Sequence, residues 1–388
     1  MSTSPEWRTI SLRHLVTVHD GKRTPLNSEE RADRVGPYPY WGSGGVVGYV
    51  DRPLFRGTLV LLGEDGAPFF DRDRPVAFRI DEPVWVNNHI HVLRPALSMD
   101  ASFLTYFLNQ VDYSLYITGS TRDKLTQEDL REIAISVPPL DVQRQIAEYL
   151  DRETGKIDEL IAKQEQLISI VQERTRSVIL RALEASGAPT VPLKHLWQVI
   201  DCKHLTAEFV EFGFPVASIR ETEGRYLDLT GAKRTTKQFY DALVEGNRQP
   251  QAGDLIFTRN ATVGRVSEIP QGLEPFAIGQ DVCLLKSTGN MLPRFAQLIL
   301  ESSIGTDQLD LAMVGSTFKR VNVEQVRSML IPAPPLSEQT RIVSQLDSEI
   351  ASCQALESRA GQITMLLHER RAALISAAVT GKIDVRGL

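Results

Sequence analysis

The chain has 388 residues, is 42% hydrophobic and 24% charged, and carries a formal net charge of −6 from 43 Lys+Arg against 49 Asp+Glu. These figures exclude a disordered or collagen-like chain and predict about two to four domains. They also argue against nucleic-acid binding through bulk charge, although a local basic face needs no basic total.

Residues 7–135 carry short apolar runs between glycines, prolines and aromatics. TLVLL (58–62) and HIHVL (89–93) read as strands between turns, with a short helix near 101–110. Pro138-Pro139-Leu140 then opens a different rhythm. Ile146, Leu150, Glu153, Ile157, Leu160, Gln164, Leu167, Val171, Arg174 and Val178 follow in steps of four and three, the spacing of a heptad seam. Asp141 is the expected N-cap of this helix. ASGAPTVP (185–192) reads as a linker. A second stretch of strands follows, with DLIFT (254–258) and DVCLLK (281–286), then a short helix near 293–302. Pro334-Pro335-Leu336 opens a second long helix with Ser337 as expected cap. Its seam is Ile342, Leu346, Glu349, Cys353, Leu356, Ala360, Ile363, Leu367, Arg370 and Leu374.

The chain is an internal repeat. ISVPPLDVQRQIAEYLD (135–151) matches IPAPPLSEQTRIVSQLD (331–347) at an offset of 196 residues. At the same offset GST recurs at 119–121 and 315–317, and SLRHL (11–15) resembles PLKHL (192–196) at a shorter one. The expected fold is α+β: two globular domains (1–138 and 185–334), each followed by a long helix (139–184 and 335–388). If the seams pack, the helices run antiparallel, the C-terminus returns to the first domain, and the whole is a pseudo-twofold dumbbell. Helix pairing is expected through Ile146, Leu150, Ile157, Leu160, Leu167 and Val171 on one side, and through Ile342, Leu346, Leu356, Ile363, Leu367 and Leu374 on the other. Glu153 with Arg370, and Arg174 with Glu349, are candidate interhelix pairs; the alternative is solvated positions at the seam edge.

Two similar modules on a fixed spacer suit a target with two separated sub-sites. Duplex DNA is one, with half-sites about 34 Å apart per helical turn. Arg and Lys read guanine, and Asn and Gln read adenine. On that basis Lys22, Arg23 and Thr24, the turn Asn87-Asn88-His89, and Lys233, Arg234, Lys237, Arg259, Asn260 and Gln280 are candidate DNA contacts. Ser120 and Thr121 with Arg122 and Lys124, and Ser316 and Thr317 with Lys319 and Arg320, put hydroxyl and backbone donors beside cations, which suits phosphate; a Ser/Thr helix cap is compatible with that role. Tyr40 and Trp41 either line a groove or flank a flipped base, or else pack in the core. His89 and His91 are spaced like metal ligands, but no neighbouring Cys or carboxylate completes a set, so no metal is expected. Cys202, Cys283 and Cys353 are too dispersed for a disulfide framework. No run approaches the ~18 apolar residues of a membrane span, and MSTSPEWRT does not read as a secretory signal, so a cytoplasmic location is expected.

These residues carry a family resemblance. The two PPL-x₂-Q-x₂-I-x₃-L-D openings, the two GST elements, YPYWGSGGVVGY (38–49), LLGEDGAP (61–68), WVNNHIHVLRP (85–95) and the closing AAVTGKIDV (377–385) resemble the specificity subunit of type I restriction–modification systems. The resemblance covers nearly the whole chain. It implies that each globular domain is a target recognition domain reading one half of a bipartite, asymmetric DNA site. It implies that the helices set the unread spacer and dock two methyltransferase (M) subunits. The complex would methylate adenine with S-adenosylmethionine on the M partner, and restriction (R) subunits would add ATP- and Mg-dependent cleavage. No cofactor is expected in this chain and no catalytic residue, in keeping with its lack of a GxxxxGK[ST] phosphate loop. A free-standing DNA-binding regulator and a coiled-coil protein-interaction adaptor are the competing readings.

Overall fold

Arg8–Ser11 pairs antiparallel with Ala134–Val137, the strand that leads into the first Pro-Pro-Leu, and Thr190–Pro192 pairs the same way with Leu330–Pro332. The opening and closing strands of each module are therefore hydrogen-bonded neighbours. The SLRHL and PLKHL repeat lies just after the opening strands. It forms 3-10 turns at Leu12–His14 and Leu193–His195, with Leu12 and Leu193 buried. The amides of Leu12 and Leu193 donate to Ile133 O and Met329 O, both at 2.8 Å. This computed structural model describes residues 7–71, 74–117, 123–313 and 320–385.

Inside each module the main sheet has four antiparallel strands in one order: first, last, second, third. In the first module these are Val16–Val18, Ile90–Pro95, Leu59–Gly63 and Ala77–Ile80; in the second, Trp197–Asp201, Val282–Ser287, Leu255–Thr258 and Val266–Glu268. A second sheet covers one face. It contains a parallel pair in both copies, Tyr38–Gly42 with Trp85–Val86 and Phe214–Ala217 with Ala277–Ile278. Alternation along a strand sends successive side chains to opposite faces. Val60 and Leu62 accordingly join one core with the helices, while Leu59 and Leu61 join another with Val84 and Val86 of the second-sheet side. Leu255 and Phe257 part from Ile256 in the same way. Burial on both faces is why these strands read as unbroken apolar runs. The short helices fall where expected, at Ala101–Leu108 and Pro293–Glu301.

The long helices are Leu140–Glu184 and Leu336–Val379. Each starts one residue before its expected cap, so Asp141 and Ser337 sit in the first turn and do not cap it. The carbonyls of Pro139 and Pro335 accept from Gln143 N and Gln339 N at 3.0 Å, and proline is tolerated there because an N–H at a helix start has no intrahelical partner. The second helix ends in a left-handed residue, Gly381 (φ +71°), and Lys382 N returns to Ala377 O at 2.9 Å. A Cβ on Gly381 would lie 2.8 Å from the Trp7 ring, which explains the glycine of the closing VTGKIDV.

The chain divides into two compact units, residues 1–166 with 360–388 and residues 167–359, so each helix is shared between them. In the first unit Ile146 and Leu150 share a core with Ile375, Ala378 and Val379, and Asp158, further along, pairs with Arg371. In the second, Gln172 contacts Glu357, while Leu183 shares a core with Ile342, Leu346 and Ile350. In each unit one helix advances as the other recedes, so the pairing is antiparallel.

The seam has a different phase from the expected one. Its buried and half-buried positions run 146, 150, 154, 157, 161, 164, 168, 171 and 175 in the first helix, and 342, 346, 350, 353, 357, 360, 364, 367 and 371 in the second. Both begin with two successive steps of four. There each helix packs on its module at the natural 3.6-residue period, and the 3.5-residue heptad count starts only afterwards. Every second expected position is therefore one residue early: Leu160, Leu167, Leu356 and Ile363 are exposed, whereas Ile161 is buried. Glu153 pairs with Arg152 and Lys156 of its own helix, and Glu349 accepts from Gln345. The interhelix ion pair in the first unit is Asp158–Arg371, at 2.7 Å, and not Glu153–Arg370. A double-mutant cycle on Glu153 and Arg370 will show no coupling. One on Asp158 and Arg371 will show about 0.2–1 kcal/mol, the range of an exposed pair, read from urea midpoints.

Candidate nucleic-acid interface

The antiparallel order of the main sheet decides which candidates meet. In the first module the segment after the first strand (19–24), the segment after the second (64–66) and the turn before the last (87–89) leave the sheet at the same end, and Lys124 bridges to Asp65 there. In the second module residues 201–204, 259–260 and 279–281 do the same, and Arg320 bridges to Asn260. Four segments far apart in sequence thus form one polar sheet end in each module. Lys22, Asn88, Lys124, Gln280 and Arg320 are exposed there. Asn87 and His89 are half-buried, with Asn87 Oδ1 accepting from Asn88 N and His89 Nδ1 lying 3.4 Å from Asp65. Asn260 donates to Asp281 at 3.0 Å, and Gln280 to Thr206 at 3.3 Å. Ser120, Thr121, Arg122, Ser316, Thr317 and Lys319 lie outside the described residues.

Beneath the outer groups lies a network that the sequence did not announce. In the first module His91 is buried, with Nδ1 2.7 Å from Asp20 Oδ2 and Nε2 3.0 Å from Leu125 O. Asp20 also accepts from Val92 N at 2.9 Å and from Gln127 at 3.1 Å. Burial alone would raise the Asp20 carboxyl, but His91, the Val92 amide and Arg23 outweigh it and hold the carboxyl below its usual value. Arg23 is not an outward reader. Its guanidinium is turned inward, 2.5 Å from Glu64 and 2.8 Å from Ile90 O. Thr24 is exposed and its carbonyl accepts from the Trp85 indole at 2.6 Å. A Cβ on Gly63 would sit 2.3 Å from that of Ala67, so the LLGEDGAP glycine is required by a close chain approach.

In the second module Arg259 is buried against Asp201 at 2.8 Å. Asp201, Cys202 and His204 are close enough to hold a cation, as are Asp20, Glu64 and His91. In each cluster, however, an arginine already serves as the cationic partner of the carboxylates. Burial, with the Asp201 charge, also pushes the Cys202 thiol up to about 11, and Cys202 Sγ donates to Gln280 O at 3.3 Å.

Several remaining candidates belong to the second sheet or its core. Tyr40 is fully buried, and its hydroxyl exchanges hydrogen bonds with the Leu26 backbone. It does not line a groove. Trp41 is half-buried and packs on Phe78 with ring centroids 5.1 Å apart. Arg234 makes a two-bond pair with Glu274. Lys233 and Lys237 are exposed and lie over Phe209 and Phe214 at 5.0 and 5.9 Å. The first module has its own stacked cations, which the sequence reading missed: Arg31 over Tyr40 at 5.2 Å, and Arg34 and Arg52 over Trp85 at 5.8 Å. Their spacing in sequence carries no pattern, so only the sheet pairing brings them to one place.

A duplicated two-sheet module on paired long helices, with a polar sheet end built from the same strands in both copies, defines a two-module scaffold with an equivalent candidate site in each module. The family described as the type I restriction modification DNA specificity domain matches residues 5–169 and 209–363, and the chain belongs to that family. It is 24% identical over 360 residues to a Haemophilus influenzae chain assigned as a type I restriction enzyme specificity subunit, covering 88% of this chain and 86% of that one. It is 22% identical over 326 residues to the EcoKI specificity subunit of Escherichia coli K12, covering 76% and 68%. Two solved structures share the fold. One is a chain from a study of assembly and conformational transition of the type I R-M system (TM-score 0.74, 15% identity, 99% and 100% covered). The other is the HsdS subunit of Thermoanaerobacter tengcongensis (TM-score 0.53, 16% identity, 99% of each covered). Among the described residues no helix is long and apolar enough to cross a membrane.

Proposed function

We propose that this chain is the non-catalytic DNA-recognition subunit of a type I restriction–modification enzyme, and that each polar sheet end faces one half of a bipartite, asymmetric site. The observation that carries the reading is the convergence of separated Asn, Gln, Lys and Arg residues at one sheet end in both modules of a chain from this family. Because the two ends differ in side chains, the half-sites differ in sequence. The paired helices set the spacer and dock two M subunits. Exposed apolar residues support this docking: Leu160, Ile363, Met365 and Leu366 in the first unit, and Leu167, Ile170 and Leu356 in the second. S-adenosylmethionine belongs to the M partner, and ATP and Mg to the R partner. The whole chain carries −6, so bulk charge gives little hold on DNA, and the isolated chain binds DNA modestly and in a salt-dependent way. The work is done in the cytoplasm, where the chromosome is.

The test is co-expression with the neighbouring methyltransferase, co-purification, and mapping of methylated adenines. The expected result is a stable complex and one bipartite motif that vanishes when this chain is deleted. Absence of both association and motif would return the regulator and the adaptor to consideration; the regulator binds its site without M chains, and the adaptor shows no salt-dependent DNA binding.

A further inference from the structure

We propose that Arg23 and Arg259 are positioning residues, each locking from inside its module the turn that presents candidate base readers to DNA. The proposal rests on the DNA-recognition reading above. The Arg23 side chain is 13% exposed and donates to Asn88 O at 3.3 Å, Ile90 O at 2.8 Å and Glu64 at 2.5 Å. The Arg259 side chain is 4% exposed and donates to Gln280 O at 3.3 Å and Cys202 Sγ at 3.3 Å, beside Asp201. Asn88 and Gln280 hold the same place in the two modules, two residues before the last strands Ile90–Pro95 and Val282–Ser287.

The two arginines come from different chain positions. Asp20 and Asp201 are equivalent, since each lies nine residues after the start of the SLRHL or PLKHL repeat. Arg23 follows the first strand of its sheet, whereas Arg259 follows the second. At the offset of 196 the first-module equivalent of Arg259 is Gly63, which has no side chain to offer. One guanidinium nevertheless reaches the same turn carbonyl in both copies and faces the equivalent aspartate, at 3.7 Å from Asp20 and 2.8 Å from Asp201. A buried charge is weak evidence for stability, because desolvation offsets much of the attraction. Its supply from two different positions to one place points to a geometric task. The fork of the guanidinium meets carbonyl and carboxylate together, which a lysine ammonium cannot reproduce with the same geometry. Held this way, Asn88 and Gln280 project from a fixed turn, and base-edge hydrogen bonds tolerate little misplacement.

The test uses the complete complex with its methyltransferase subunits. Arg23→Lys and Arg259→Lys are made separately, and methylation of the recognised motif and its single-base variants is measured. Each substitution is expected to raise methylation of near-cognate sequences about tenfold relative to cognate in one half-site only, a different half for each, with the other half as internal control. A uniform loss of methylation with base preference intact in both halves would show a merely structural role and overturn the proposal. Should either lysine variant fail to fold, Glu64→Gln and Asp201→Asn weaken the carboxylate hold on Arg23 and Arg259 while leaving Asn88 and Gln280 in place. Half-site-specific relaxation then supports the proposal and unchanged preference overturns it. A wild-type complex with no motif at all would instead sink the DNA-recognition reading itself.

Discussion

Gln143→Leu will lower stability by about 3 kcal/mol or more, on the basis of ~1–3 kcal/mol for each buried polar group left without a partner. Gln143 is buried at the start of the first long helix. Its Oε1 accepts from Asp100 N at 2.8 Å, and its Nε2 donates to Ser98 O at 3.1 Å and Pro138 O at 2.9 Å. Leucine matches the volume and leaves all three backbone groups unsatisfied. Gln339 makes the equivalent set in the second module, with Leu292 N at 2.8 Å, Asn290 O at 3.4 Å and Pro334 O at 2.8 Å. Gln339→Leu should therefore be similarly damaging. Both are cross-links between a helix opening and the loop before the module's short helix, which is the physical content of the repeated PPL-x₂-Q. Glutamate does not rescue, because a carboxylate repels the two carbonyls that the amide serves. Urea denaturation of the full chain checks this; a loss under about 1 kcal/mol for either leucine variant would rule out the cross-link account.

Asp20→Ala will cost about 3–5 kcal/mol at neutral pH, the range for removing one partner of a buried charge pair. It strips His91, the Val92 amide and Gln127 of their acceptor, and leaves Arg23 with Glu64 and backbone carbonyls but without the Asp20 carboxylate. The loss depends on pH. The folded carboxyl titrates below its ordinary value of 3.8, so the stability it contributes is present above that value and disappears as pH falls through the lower folded one. Wild type and Asp20→Ala should therefore differ most near neutrality, and the gap should narrow in acid as pH falls through the lowered folded pKa. Urea midpoints at neutral and acid pH measure the difference, and a gap that widened in acid would contradict the assignment.

Much of the candidate site could be read residue by residue, but not as a site. Lys22, the Asn87–His89 turn, Lys124, Gln280 and Arg320 carry the chemistry of DNA contacts in the sequence, and the order of the antiparallel strands is what gathers them at one sheet end in each module. Chemistry alone misassigned the direction of others. Arg23 and Arg259 look like readers in sequence and lie inside the module, while Tyr40 takes the core-packing alternative. An arginine's type does not reveal whether a carboxylate such as Glu64 or Asp201 waits behind it. Arg31, Arg34 and Arg52 were invisible because their aromatic partners lie on other strands.

The duplication, the alternation of sheet module and long helix, the antiparallel sense of the helix pair and the membership in a family of bipartite recognition subunits were determined by the amino-acid sequence. Each depends on order, spacing and periodicity along the chain, and covalent connectivity preserves these in any conformation. The tertiary structure decided the phase of the helix seam, the partner of Arg371, the inward turn of Arg23 and Arg259, and the tasks of Gln143 and Gln339. Those depend on which groups meet across more than a hundred residues of chain in several cases, as Arg371 meets Asp158. A seam displaced by one residue, or a guanidinium turned inward, changes no local pattern. What selects between the alternatives is the summed packing and hydrogen bonding of neighbours brought together only by folding.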